Sequence, residues 1–359
     1  MTNYFRIFEI AIYIMFMFLM LVQLTKKKEE RKFFVLISGL VFGLILEIGN
    51  MAAWHTYSYG DKFLIYIYTV PLGIGAAWAV LLYSAITISD RIGKARGIPE
   101  YLLPFFDVII VLSVDLVLDV LATKYNGWQW AIGKNAEWFG VPYENFIGWI
   151  FVAFIFSIVV RTIMRVLADR EKRAALANTK NKNIKNKMRN IPSSAFLTTA
   201  LTAAISVVSY AFLLVIFAIH TISMNVVYYL KEFFEGKTIT ATEIFTLNNS
   251  ITYNPWISQL KEALFYLLLF SLLIITASCL IRYQPKKRDA RLLAKNRDFV
   301  LASSFIILID LTILCILIST KTYLEYPVLL ITQISVLLLM FFLIALAAGI
   351  SFGKTIKSQ

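Results

Sequence analysis

The sequence predicts an all-α fold, a polytopic transmembrane helical bundle of about nine spans with its N-terminus outside and its C-terminus in the cytoplasm. Three observations carry that prediction. Hydrophobic residues make up 59% of the 359 and charged residues only 16%, with a mean hydropathy of +0.72, whereas a soluble domain carries about a quarter charged residues. Nine stretches approach the ~20 mostly apolar residues needed to cross a bilayer as a helix. Lys and Arg crowd into alternate connections: 26 fall in 25–32, 89–100, 165–194, 282–298 and the C-terminal tail, against eight in the opposite loops and N-terminus, Lys261 among them. That asymmetry places the basic loops in the cytoplasm. It also explains the net charge of +13 without nucleic acid, which is not an expected partner.

The spans follow in order. The first, 4–24, is too long for the core of a signal peptide and has no small-residue cleavage site after it, so it is read as a membrane helix. The second, 33–54, contains Glu47; the third, 64–88, contains Pro71, expected to kink it and free a carbonyl. The fourth, 101–122, carries Asp115 and Asp119, and the fifth covers 145–167. After a basic linker, 168–194, come spans at 196–229, 262–282, 299–319 and 327–352. The third, sixth and ninth are long enough to tilt. Three domains are expected: a five-helix membrane half, 1–167, the linker, suited to anionic lipid head groups or simply solvated, and a four-helix half, 195–359. Cys279 and Cys315 lie in apolar helices and behave as small hydrophobes.

Polar groups converge in the first half. A carboxylate at mid-membrane costs ~3 kcal/mol on insertion scales, so Glu47, Asp115 and Asp119 need a pocket, a partner or a proton. Topology puts Glu47 about 10 Å below the outer end of its helix at 1.5 Å per residue. Asp115 and Asp119, four apart, share one helical face at a similar depth. Above them, the stretch from Asn126 to Trp149 holds Trp128, Trp130, Trp138 and Trp149, interspersed with Gly127, Gly133, Gly140, Gly148 and Pro142. Any one Trp fits an interfacial aromatic belt; their density fits an ordered lid over an apolar cleft. Aromatic faces suit an isoprenoid ligand and stabilise a nearby carbocation. Acids in such a slab suit hydration of a trisubstituted alkene, in which a proton delivered to the less substituted carbon leaves a tertiary cation for water. They would equally suit a proton relay.

These residues resemble the integral-membrane carotenoid-biosynthesis family that includes carotenoid 1,2-hydratases and the archaeal hydratases of bacterioruberin synthesis. The family pattern of Asp, three residues, Asp-Pro, W-x-W, G-V-P, Asn-Phe and Gly-Trp is met by Asp115, Asp119, Trp128, Trp130, Gly140 to Pro142, Asn145, Phe146, Gly148 and Trp149. An upstream element is similar to Glu47, Gly49, Tyr57, Tyr59 and Pro71. The resemblance covers about residues 40–155; Val120 replaces the family's Pro, and Met51 to Thr56 replace a Gly/Pro/Phe-rich turn. It implies an intramembrane hydratase, a carbon-oxygen hydro-lyase adding water to a terminal C=C of an acyclic carotenoid or related polyprenoid, with membrane lipid around it and no cofactor. Asp115 or Glu47 would donate the proton, and Asp119 would orient water or restrain its partner. Tyr57, Tyr59, Pro71, Trp128, Trp130, Pro142, Asn145 and Trp149 would bind substrate.

Other readings stand beside this one. A DxxxD also occurs where Mg2+ holds a diphosphate, but the second acidic cluster such sites need is missing from the sequence, so no metal site is expected. The acids could instead be structural, or belong to a proton-coupled carrier or binding scaffold for a lipid-like solute. His55 and His220 are expected at helix ends in surface or capping roles, Arg161 to snorkel, and Asp310 to sit protonated or beside a Thr or Asn. Asn248 opens a glycosylation-type sequon. The protein is expected in the cell membrane as a multi-pass protein; its oligomeric state is open.

Overall fold

The computed structural model describes residues 4–25, 30–54, 56–131, 137–180, 194–238, 254–283 and 297–348. His55, Gly133, the sequon at Asn248 and residues 181–193 of the basic linker lie outside these residues. Among them run nine long helices: α1 (Tyr4–Leu24), α2 (Glu30–Trp54), α3 (Leu72–Arg96), α4 (Leu103–Lys124), α5 (Tyr143–Lys180), α6 (Ser194–Phe234), α7 (Pro255–Arg282), α8 (Arg297–Ser319) and α9 (Pro327–Ala347). Eight are long and apolar enough to cross a membrane. The ninth is α4, which carries Asp107, Asp115 and Asp119. A helix with three acids cannot present its sides to lipid, and α4 is enclosed by α3, α5, α7, α8 and α9. The protein is therefore an all-α, multi-pass membrane bundle with α3 and α4 at its centre.

Several boundaries differ from the sequence expectation. The third span starts at Leu72 rather than 64, because Pro71 stands before the helix in extended conformation (φ −61°, ψ 130°) instead of kinking it. Proline lacks the N–H a helix interior needs and forces the residue before it out of helical conformation, so the chain from Tyr57 to Pro71 folds as short antiparallel ribbons. Strand β2 (Tyr66–Ile67) pairs with β3 (Val70–Pro71). Strand β1 (Tyr57–Tyr59) pairs with β4 (Trp128–Trp130), setting Tyr57 opposite Trp130 and Tyr59 opposite Trp128. Helix α5 continues to Lys180, so the basic segment begun at 168 starts as helix.

The most extensive helix contact is between α2 and α3, and small residues bring the two close. A Cβ on Gly39 would lie 2.9 Å from the Ala79 Cα, and one on Gly43 would lie 2.6 Å from the Trp78 Cβ. Four-residue spacing of glycines lets backbones approach where lipid offers no hydrophobic drive between helices. Glu47 follows four residues later on the same face.

At the bundle end away from the ribbons, Arg161 joins α3, α4 and α5. Its guanidinium donates to Asp107 (2.8 Å), to the Ser89 hydroxyl (2.8 Å) and to Asp90, and Ser157 donates to Asp107 at 2.5 Å. Arg161 is 7% exposed, so it does not snorkel; a carboxylate on the neighbouring helix was beyond the reach of sequence reading. Asp310 likewise finds a partner on another helix, Gln333 of α9, whose side-chain amide donates to the Asp310 carbonyl at 3.0 Å and reaches its carboxyl at 3.4 Å.

Breaking a buried pair strands the remaining charge, at a cost of about 3–5 kcal/mol. Arg161→Met is therefore expected to lower the thermal unfolding temperature in detergent far more than Arg165→Met, whose partner Glu100 is exposed. Equal, small shifts in the two variants would show that the Arg161 network carries no such load.

Candidate active site

Among the described residues, Glu47 is met by three donors and no acceptor. Tyr57 and Tyr59 donate to its Oε2 at 2.5 and 2.8 Å, and the Trp78 indole N–H donates to Oε1 at 2.8 Å. Residues two apart on a strand point to the same face, so β1 aims both phenols at one carboxyl. The pairing with β4 then stacks the aromatic wall: ring centroids are 4.9 Å apart for Tyr57 and Trp130, and 5.9 Å for Tyr59 and Trp128. Burial, and next the Glu47 charge, push both tyrosine hydroxyls well above their ordinary range, so they stay protonated donors.

The second carboxyl station is on α4. Asp115 and Asp119, one turn apart, both accept from the side-chain amide of Asn145, at 3.0 and 2.5 Å. Asn145 comes from the first turn of α5, just after Pro142, so the amide crosses from one helix to bridge two acids on another. The Trp138 indole donates to the Leu116 carbonyl at 3.0 Å and pins the loop over α4. Phe139 and Gly140, with φ of 51° and 92°, turn the chain there through left-handed conformations that glycine adopts freely.

Between the stations lies a cavity of about 220 Å³. Glu47, Asp119, Tyr57 and Tyr59 line it, as do Trp128, Trp130, Pro142, Asn145 and Trp149. Two of the predicted site residues stand apart from the lining. Asp115 is fully buried and accepts from Asn145; Pro71 is buried in the β2–β3 ribbon, opposite Tyr66. Trp78 stacks on Trp149 with centroids 4.3 Å apart, closing one wall. Among the described residues, no group of three or more His, Cys, Asp or Glu is placed to hold a metal ion.

The second half also reaches the cavity, although the polar groups read from the sequence converge in the first. Phe217, His220 and Thr221 of α6 and Ile309 of α8 line it. His220 is not at a helix end, because α6 runs on to Phe234. Lys261, expected in an outer loop, is fully buried in α7 and pairs with Glu144 at 2.5 Å; Glu144 is another lining residue. Trp78, Asn50, Glu144 and Lys261 were missed in the sequence. A lone Lys seven residues into a helix that opens Asn-Pro was the available signal for the last. Glu9, on α1, accepts from the Leu64 backbone N–H at 2.5 Å and from Tyr13 at 2.6 Å, so α1 holds the ribbon segment in place.

A family model described as carotenoid biosynthesis protein matches residues 6–226. The chain belongs to that family. Its members' role in carotenoid biosynthesis is the functional frame for this chain. The match is wider than the motif stretch 40–155: it also takes in the basic linker and most of α6. It therefore contains every lining residue of the cavity except Ile309. No curated protein and no solved structure matches the chain.

Losing a charge-assisted hydrogen bond in a buried setting costs roughly 1.5–3 kcal/mol. Tyr57→Phe and Tyr59→Phe are each expected to lower stability by that amount, read by thermal unfolding in detergent. Because the native hydroxyls titrate above the unfolded value of about 10, their stabilisation is complete at neutral pH and declines only as pH rises past about 10. The difference between wild type and either variant should thus be flat from about pH 6 to 9; a difference that fades within that window would contradict the assignment.

Proposed function

We propose that this protein is an intramembrane hydratase that adds water to a terminal C=C of an acyclic carotenoid or related polyprenoid. The observation that carries the reading is the pairing of two carboxyl stations, Asp119 and Glu47, across one apolar, aromatic-walled cavity. A volume of about 220 Å³ falls below the ~300–1,000 Å³ that buries a drug-sized ligand, so a long polyprenoid inserts one end and leaves the rest in lipid. The family's place in carotenoid biosynthesis supplies the substrate class.

Asp119 is the proton donor in this scheme, rather than Asp115, because Asp119 lines the cavity. Asp115 acts through it: two carboxyls one turn apart in an apolar interior repel when both are charged, and one shared proton relieves the repulsion. The Asn145 amide, donating to both, orients the pair. Asp119 delivers the proton to the less substituted alkene carbon, the C=C electron pair forms the new C–H bond, and a tertiary cation remains. The faces of Trp149, Trp130 and Tyr57 stabilise that charge. Water adds through oxygen, and the proton it sheds goes to Glu47, whose three donors mark it as the anionic station. Exchange of that proton back to Asp119 through solvent closes the cycle, with one water added overall. A carrier reading has less support, since Asp310, the central acid of the second half, is not among the cavity's lining residues.

Expression in a host that accumulates lycopene or another acyclic carotenoid, followed by pigment extraction and mass spectrometry, tests the proposal. The expected product is one water heavier than its precursor. Loss of a general acid or base lowers rates ~10²–10⁴-fold, so Asp119→Asn and Glu47→Gln should abolish the product, with Asp115→Asn reducing it less. Unchanged pigments for well-expressed wild type across several acyclic precursors would sink the hydratase reading.

A further inference from the structure

Once the carboxyl stations are accounted for, three side chains of the cavity wall each keep a polar atom without a partner. Asn50 Oδ1, Trp130 Nε1 and His220 Nε2 are buried and have no hydrogen-bond partner among the described residues, and all three side chains line the same cavity. They come from three separate elements, α2, β4 and α6. Leaving a buried polar atom unsatisfied costs ~1–3 kcal/mol. Three such side chains on the walls of one cavity leave it open to a further polar partner.

Their chemistry is complementary to one functional group. An indole N–H can only donate, an amide oxygen can only accept, and a neutral imidazole nitrogen can do either. A hydroxyl offers one donor hydrogen and two acceptor lone pairs. Asn50 can take the hydroxyl hydrogen, while Trp130 and His220 donate to its oxygen. A ketone or ether would leave Asn50 unmatched, and a plain alkene would leave all three so. The ribbon holds one member of the set in place: Trp130 is registered against Tyr57.

We propose that Asn50, Trp130 and His220 form a hydroxyl-binding subsite that recognises a polyprenoid end carrying a tertiary alcohol. The identity of the carbon skeleton rests on the hydratase reading; the subsite itself does not. Within that reading the hydroxyl is the one formed by hydration. Tighter binding of the alcohol than of the alkene draws the equilibrium on the protein toward the hydrated form.

The test is binding rather than turnover. Wild-type protein in nanodiscs is titrated with a tertiary dimethylheptanol and with the dimethylheptene of the same skeleton, following quenching of tryptophan fluorescence and correcting for partition into empty nanodiscs. The alcohol is expected to bind at least about tenfold more tightly. His220→Leu and Asn50→Leu should remove that preference by weakening alcohol binding more than alkene binding, and His220→Gln, which keeps a donor, should retain most of it. Equal affinity of wild type for the two probes, as when water fills the subsite with either bound, overturns the proposal. So does an equal loss for both probes in the Leu variants, the result of a merely structural role. An alcohol preference together with unchanged host pigments would overturn hydration alone, whereas a hydrated pigment together with equal probe affinities would overturn the subsite alone.

Discussion

A carboxyl group placed in hydrocarbon must find donors, and the way Glu47 finds them organises the centre of this protein. Its three hydrogen bonds draw on α3 through Trp78 and on a two-stranded ribbon through Tyr57 and Tyr59. The ribbon exists only because β4, at the end of α4, pairs with β1, at the end of α2. One carboxylate therefore couples the end of α2 to α3, and the ribbon joins both to α4. Glycines at 39 and 43 bring α2 against α3 closely enough for the Trp78 indole to reach it. The cavity is the space left between this assembly and the Asp119 station.

The same logic of donors meeting acids recurs away from the cavity. Arg161 and two serines satisfy Asp107; Asn145 bridges Asp115 and Asp119; Gln333 answers Asp310; backbone N–H groups of the ribbon segment answer Glu9. Each of these contacts joins different parts of the chain, so the polar groups within the apolar bundle serve as its cross-links. That arrangement also ties the C-terminal half to the site. Lys261 pairs with Glu144 on the cavity wall, and Ser258 donates to Glu137 at the edge of the lid. The family match ends at residue 226, so these α7 contacts lie outside it.

Much of the fold was legible in the sequence because lipid imposes a simple rule on composition. The number of long helices follows from runs of apolar residues, and the membership of Glu47, Tyr57, Tyr59, Asp119, Trp128, Trp130, Asn145 and Trp149 in one cavity agrees with the spacing of the motifs that contain them. Periodicity could not separate Asp115 from Asp119: both lie on one face of α4, and only the position of α5 decides which of them the cavity meets. Nor could it place Pro71, because an apolar run reads the same whether it opens as helix or as ribbon. His220 and Lys261 were misread for a different reason. A single polar residue in an apolar run takes its meaning from its partner, and the partner sits on another helix.

Sequence alone determined the class of environment, the count of long helices and the identity of the acids, since each of these depends on local hydrophobicity and residue type. Tertiary structure decided which acids face the cavity, which donors hold them, and that α6, α7 and α8 contribute to the site. The physical reason is that hydrogen bonds in a membrane interior are strongly selected but short in reach. Whether a donor and an acceptor come within about 3 Å is settled by helix packing, and packing is not written in either residue's neighbours along the chain.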